Sequence, residues 1–260
     1  MNHRRVIVKP KVRVKKQAVP GVLTFVNLFF GFLAIVQASQ GRIENACWLI
    51  LAASLFDAMD GPTARALKVT TPFGVEFDSI ADVVSFCTAP AVLIYFSFVQ
   101  DLHPLLAAAI SFVPLISGAF RLARFNQVAT GTPTPFYSGL PSTAFAVTLS
   151  AFVIFNSRLL GTTGDPRIAL PLVLFLSMLM VSHLAYPKLT YIGKGWHSRI
   201  KVIFFLLSLA ALTWWRSLVL FPLTMMYVIG GFIRLLFNRE DMEANPRPMW
   251  ITRNRKGRHG

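Results

Sequence analysis

Long apolar runs separated by short polar clusters make up most of the chain. The clearest are Val22–Ala38, Val83–Val99, Leu105–Phe120, Leu140–Phe155, Ala169–Tyr186 and Val202–Phe237. Most come close to the roughly 20 apolar residues that a helix needs to cross a hydrocarbon core of about 30 Å. The last run is too long for one crossing, and Trp214, Trp215 and Arg216 in its middle carry the signature of a membrane interface, so the pattern divides there. A further run, Ala46–Leu67, is apolar until Asp57 interrupts it. The expected fold is an all-α integral membrane protein, a bundle of about eight transmembrane helices.

Punctuation between the runs sets the organisation. Pro20-Gly21 ends a basic leader (residues 1–19), residues 20–238 form one transmembrane domain, and residues 239–260 form a basic tail. The longest loops expected are Arg124–Ser138 and Pro187–Lys201, neither long enough to fold alone. No cleavable leader is expected, because the first apolar run begins at Val22 and has the length of a true span.

Composition agrees with lipid as the solvent: 54% of residues are apolar and 14% charged, against about 25% charged in soluble domains. A net charge of +15, from 26 basic and 11 acidic residues, raises nucleic acid as a partner until the positions are read. Basic residues crowd one set of loops and both tails, leaving Arg42, Arg158, Arg167 and Arg216 on the other side. The positive-inside rule then puts both termini in the cytoplasm and assigns the tails to topology and anionic lipid. No nucleic-acid partner is expected. Cys47 and Cys87 lie inside spans without metal-type spacing and suggest no disulfide.

Acids are the anomaly. Asp57, Asp60, Glu76, Asp78 and Asp82 fall close together in a chain otherwise poor in carboxylates. Asp57 and Asp60, three apart, share one helix face; Asp78 and Asp82, four apart, share a face of the next helix. Pro72 and Gly74 lie between the two pairs, so the second helix can fold back against the first. An acid at a helix centre in lipid costs about 2.5–3.5 kcal/mol even on the milder insertion scale. Four facing one another therefore require positive charge between them. A hard divalent cation with oxygen ligands, Mg²⁺ or Mn²⁺, suits the set, while the lack of suitably spaced His or Cys argues against zinc. Helix capping or pairing with Arg65 and Lys68 is the plainer alternative. A proton or ion pathway is another, opposed by the lack of an acidic relay through the remaining spans.

The string Asp57-x₂-Asp60-Gly61-x₂-Ala64-Arg65-x₈-Gly74-x₃-Asp78-x₃-Asp82 resembles the signature of the CDP-alcohol phosphatidyltransferases at every specified position. That resemblance implies two divalent cations held by Asp57, Asp60, Asp78 and Asp82, with Asp82 also the general base for an acceptor hydroxyl. It further implies that Gly61, Ala64 and Gly74 admit the nucleotide of a CDP-linked donor and that Arg65 contacts its diphosphate. Close helix packing explains the same small residues equally well. The family resemblance also implies a homodimer.

The acceptor is less firmly written. "VPGVLTFVNLFFGFLAI" (19–35), "GAFRLARFN" (118–126) and "FYSGLPS" (136–142) look like the phosphatidylserine synthase branch, although Gly21 stands where that branch has Asn. The expected substrates are CDP-diacylglycerol and L-serine, with Arg121 and Arg124 as candidates for the acceptor carboxylate and Asn27 for the donor. Glycerol 3-phosphate, inositol and inositol phosphate remain open as acceptors, since an anion of either kind suits paired arginines. A bacterial inner membrane with a cytoplasmic active site is the expected location.

Overall fold

The computed structural model describes residues 13–67, 71–128, 136–182, 184–187 and 218–237. Among them the chain forms helices α1 (Arg13–Ser39), α2 (Ile43–Leu67), α3 (Pro72–Asp82), α4 (Ala89–Ile94), α5 (Pro104–Val128), α6 (Ser142–Leu160), α7 (Pro166–Val181) and α8 (Leu220–Phe237). Two π-helical segments, Val83–Thr88 and Tyr95–Val99, join and extend α3 and α4 into one continuous rod. Among the described residues, four helical stretches are long and apolar enough to cross a membrane: Gly21–Ser39, Phe73–Val99, Pro104–Asn126 and Ser142–Leu160. Pro166–Val181 and Leu220–Ile233 are shorter and equally apolar. The protein is thus a membrane-embedded helical bundle, and the span expected in the first half of Val202–Phe237 lies outside the described residues.

The third rod begins at Pro72, inside the turn expected between the two acidic helices and ahead of the apolar run that starts at Val83. Thr71 caps it by accepting the Gly74 amide at 3.1 Å, and Pro72 occupies the first turn, where its missing N–H costs nothing. Asp78 and Asp82 therefore ride on a helix continuous with the membrane span. The aspartates are not its cap. Pro90 explains the widened turn that follows: it offers no N–H to the carbonyl four residues back and its ring presses on that carbonyl. Val83–Thr88 takes up the strain as a π turn, and the Thr88 hydroxyl donates to the Val83 carbonyl at 3.0 Å.

α1 packs along both acidic elements. Phe30 stacks on Phe56 with ring centroids 5.4 Å apart, just ahead of Asp57. On its other side Gly31 lies against Ser85, so close that a Cβ at 31 would stand 2.7 Å from the Ser85 Cα. The Ser85 hydroxyl completes this crossing by donating to the Asn27 carbonyl at 3.1 Å. At the opposite end of the bundle Glu44 receives Arg158 at 2.7 Å and Ser157 at 3.0 Å, fastening α2 to α6.

One element was not expected from an all-helical pattern. β1 (Phe136–Ser138) pairs antiparallel with β2 (Ala185–Pro187), closing a short ribbon between the α5–α6 connection and the end of α7. Gly139 follows at φ 82°, a left-handed turn that favours glycine, with its amide donating to the Leu184 carbonyl at 2.8 Å. α5 also runs past Arg124 to Val128, so the expected Arg124–Ser138 loop is shorter than its sequence suggests.

Gly31→Leu forces the α1 crossing apart against backbone that cannot rotate away. It is expected to destabilise the protein by about 1–3 kcal/mol, seen as a lowered thermal midpoint in detergent. Ser85→Ala should not rescue it, because the Ser85 Cα is itself in the way.

Candidate active site

Helical spacing and the α1 clamp together bring the acids to one place. Ligand oxygens of Asp57 and Asp60 from α2 and of Asp78 from α3 all lie within 4.8 Å of one another. Asp57 is also within hydrogen-bonding reach of Asp82, and Asp78 of Asp60, so all four carboxylates form one cluster across the two helices. The Thr24 hydroxyl on α1 donates to Asp60 Oδ2 at 3.4 Å. Asp78 Oδ1 and Asp82 Oδ1 are buried with no hydrogen-bond partner.

These observations fit a divalent cation. An ion with oxygen bonds of about 2.1 Å spans about 4.2 Å between opposite ligands, so small side-chain rotations would gather the trio on one ion. The orphaned oxygens supply further lone pairs, and an all-carboxylate donor set suits a hard cation. Asp82, a turn deeper on α3, stands beside the trio rather than in it. Glu76 is exposed and outside the cluster.

Asn27 is fully buried, one turn along α1 from Thr24, and neither atom of its side-chain amide has a hydrogen-bond partner. Leaving such a group unsatisfied costs about 1–3 kcal/mol, which makes it a poised contact for something that enters the site. Gly61, Ala64 and Arg65 follow the first aspartates in the last turns of α2, and Gly74 sits over the Thr71 cap. α2 carries the first two acids and these three residues in one continuous helix.

The two arginines do different things. Arg121 is buried on α5 and reaches the Ser142 hydroxyl at 3.4 Å. Arg124 donates to three carbonyls: Val181 at 3.0 Å, Ser138 at 2.9 Å and Ser182 at 2.9 Å. Its fork thus closes the exposed C-terminal carbonyls of α7 and pins the ribbon, a positional duty that pairing with Arg121 in sequence does not reveal. Asn126 was also not singled out from sequence; its amide donates to the Ser79 hydroxyl at 3.0 Å, joining α5 to α3 beside Asp78.

The profile of the CDP-alcohol phosphatidyltransferase family matches residues 17–233. The chain belongs to that family. Among relatives, a Helicobacter pylori protein named CDP-diacylglycerol–serine O-phosphatidyltransferase is 34% identical over 221 residues, covering 84% of this chain and 91% of its own length. A Methanothermobacter thermautotrophicus archaetidylserine synthase is 33% identical, covering 68% and 72%. A Methanocaldococcus jannaschii protein with the same name as the first is 36% identical, covering 64% and 72%. In a CDP-alcohol phosphatidyltransferase the aspartate cluster is the feature around which chemistry is to be sought, and its four members are the four acids of the sequence signature.

Asp78→Asn removes one of several crowded like charges. It should raise the thermal midpoint of the metal-free protein while erasing the increment that a divalent cation gives the wild type. At a cation concentration 100 times its dissociation constant that increment corresponds to about 2.7 kcal/mol. Thermal melts in detergent with EDTA, then with Mn²⁺ added, check both halves.

Proposed function

We propose that the protein transfers a phosphatidyl group from CDP-diacylglycerol to L-serine, yielding phosphatidylserine and CMP. The observation that carries this reading is the four-aspartate cluster, with its unpartnered oxygens, in a chain of this family whose relatives bear serine-transferase names.

Asp57, Asp60, Asp78 and Asp82 would hold two divalent cations, Mg²⁺ or Mn²⁺, between α2 and α3. Bound there, the cations supply Lewis-acid charge neutralisation for a pyrophosphate and its leaving group. The chain's own residues do the rest. Asn27, with both amide atoms available, hydrogen-bonds the donor, and Gly61, Ala64 and Gly74 leave room for its nucleotide. Arg65 lends its fork of donors to the diphosphate. Asp78 faces the same pyrophosphate. Arg121 takes the serine carboxylate, and Arg124, occupied by three carbonyls, holds the ribbon that borders the acceptor side.

In the reacting complex Asp82 accepts the proton of the serine hydroxyl. The freed oxygen forms a bond to the phosphorus that carries the diacylglycerol. The bond from that phosphorus to the CMP oxygen breaks, and CMP leaves. Both termini and this site would face the cytoplasm, in a bacterial inner membrane, with the protein acting as a homodimer. The excess of basic residues in the matching loops supports that orientation.

Purified protein given CDP-diacylglycerol, Mn²⁺ and a panel of alcohols should release CMP with L-serine. Asp82→Asn should lower turnover about 10²–10⁴-fold, the usual worth of a general base, with little change in the KM for donor. CMP release with glycerol 3-phosphate alone would rule out serine, and release with no alcohol of the panel would rule out the transferase reading.

A further inference from the structure

At the end of the bundle remote from the aspartates, α1, α2 and the turn between them border an open cavity of about 470 Å³, lined by Leu33, Gln37, Arg42, Asn45, Trp48 and Leu49. Arg42 and Asp57 are about 22 Å apart along the α2 axis at 1.5 Å per residue, so the cavity is no part of the acidic site. The turn builds it. Gly41 adopts φ 75°, and the Arg42 amide donates back to the Gln37 carbonyl at 2.9 Å, which holds Arg42 against the last turn of α1 beside Gln37.

The polar lining consists of groups that carry N–H donors: the Arg42 guanidinium and the Gln37 and Asn45 amides, with no carboxylate among them. Arg42 has no acid to pair with among the described residues. Glu44, the acid of the same turn, is taken by Arg158 at 2.7 Å and Ser157 at 3.0 Å, which leaves two guanidiniums to one carboxylate. Arg42 also stands at the N-terminus of α2, where the helix dipole favours an anion over a cation. Gln37 Oε1 is buried without a hydrogen-bond partner. The terminal amide torsion is broad, so a rotation turns the NH₂ of Gln37 into the cavity.

The apolar lining decides what kind of anion fits. Leu33 continues, in steps of four, the ridge of Phe25 and Phe29, both exposed on the surface that a membrane-embedded bundle turns to acyl chains. Trp48, at the level of the donors, brings the amphipathic ring characteristic of a membrane interface. A free anion would use the donors alone, whereas a phospholipid uses both halves of the lining.

We infer that this cavity binds an anionic phospholipid, with the phosphodiester on Arg42, Gln37 and Asn45 and an acyl chain along Leu33, Leu49 and the Phe29 ridge. The site is separate from the transferase reading and goes beyond it. Occupied, it ties together the two helices whose other ends meet through Thr24 and Asp60.

The test is the thermal midpoint of the full-length protein in detergent and EDTA, titrated with phosphatidylglycerol, phosphatidylcholine or inorganic phosphate. EDTA leaves the acidic cluster without a cation, so anionic lipid is repelled there. Phosphatidylglycerol should raise the midpoint saturably, and the other two should not. Arg42→Gln should raise the half-saturating concentration about tenfold or more, the worth of a charge-assisted hydrogen bond. Arg167→Gln, which removes an exposed charge at the start of α7, should leave it within about twofold. Leu33→Trp, which fills the cavity and keeps every charge, should abolish the response; if that variant fails to fold, Arg42→Gln, exposed and unpaired, still decides. An equal rise with phosphatidylcholine, a response to phosphate alone, or an unchanged titration in Arg42→Gln would overturn the inference. So would a changed oligomeric state of Arg42→Gln on gel filtration, which would assign the cavity to a second copy of the chain.

Discussion

Like charges held together in a membrane bundle are the constraint on which the rest of the structure depends. Two ionised carboxylates 4.8 Å apart repel by about 3 kcal/mol even at an effective dielectric of about 20, and here several such pairs overlap. Their helices would separate if nothing else held them. α1 does that holding: Phe30 grips Phe56 ahead of Asp57, Thr24 reaches Asp60, and Gly31 meets Ser85 just past Asp82. The first helix thus contributes no acid to the cluster and still determines whether the cluster exists. Stability is spent here on readiness for a cation and an anionic substrate.

The same logic explains why three residues in and beside the cluster keep unsatisfied polar atoms. Asn27, Asp78 and Asp82 all keep buried polar atoms without partners, where a fold optimised for stability alone would have paired them. The π turn after Asp82 belongs to this pattern. Pro90 forces it, and the wider turn changes the direction in which Ser85, Phe86 and Cys87 leave the rod, bringing them against α1 and α5.

Much of this was legible in the chain, for a physical reason in each case. Apolar length reports a membrane span directly, and spacings of three and four put Asp57 with Asp60 and Asp78 with Asp82 on shared faces whatever the surroundings. What was hidden depends on tertiary partners. The start of α3 at Pro72 was obscured because Pro72 and Gly74 read as a turn, whereas Pro72 opens the helix and Gly74 donates its amide to the Thr71 cap. The ribbon joins two three-residue strands from distant parts of the chain, too short for any alternation to show. Arg124 and Arg121 look alike in sequence; only the carbonyls at the end of α7 separate a clamp from a candidate ligand. Asn126 gains its meaning from Ser79, a residue on another helix.

Tyr186 on β2 is fully buried, and its ring fills the space where a side chain at Gly231 would stand, while its hydroxyl reaches the Val228 carbonyl at 3.4 Å. The ribbon is therefore seated on α8, the last described helix. During synthesis all four aspartates emerge by residue 82, but the seat for the ribbon is not made until residue 231 has been added. A chain still on the ribosome holds its acidic cluster in the membrane while the ribbon between α5–α6 and α7 has no seat. Completion of α8 becomes the event that seats the ribbon, so a product truncated before residue 231 keeps the acids and lacks the surface on which Tyr186 packs.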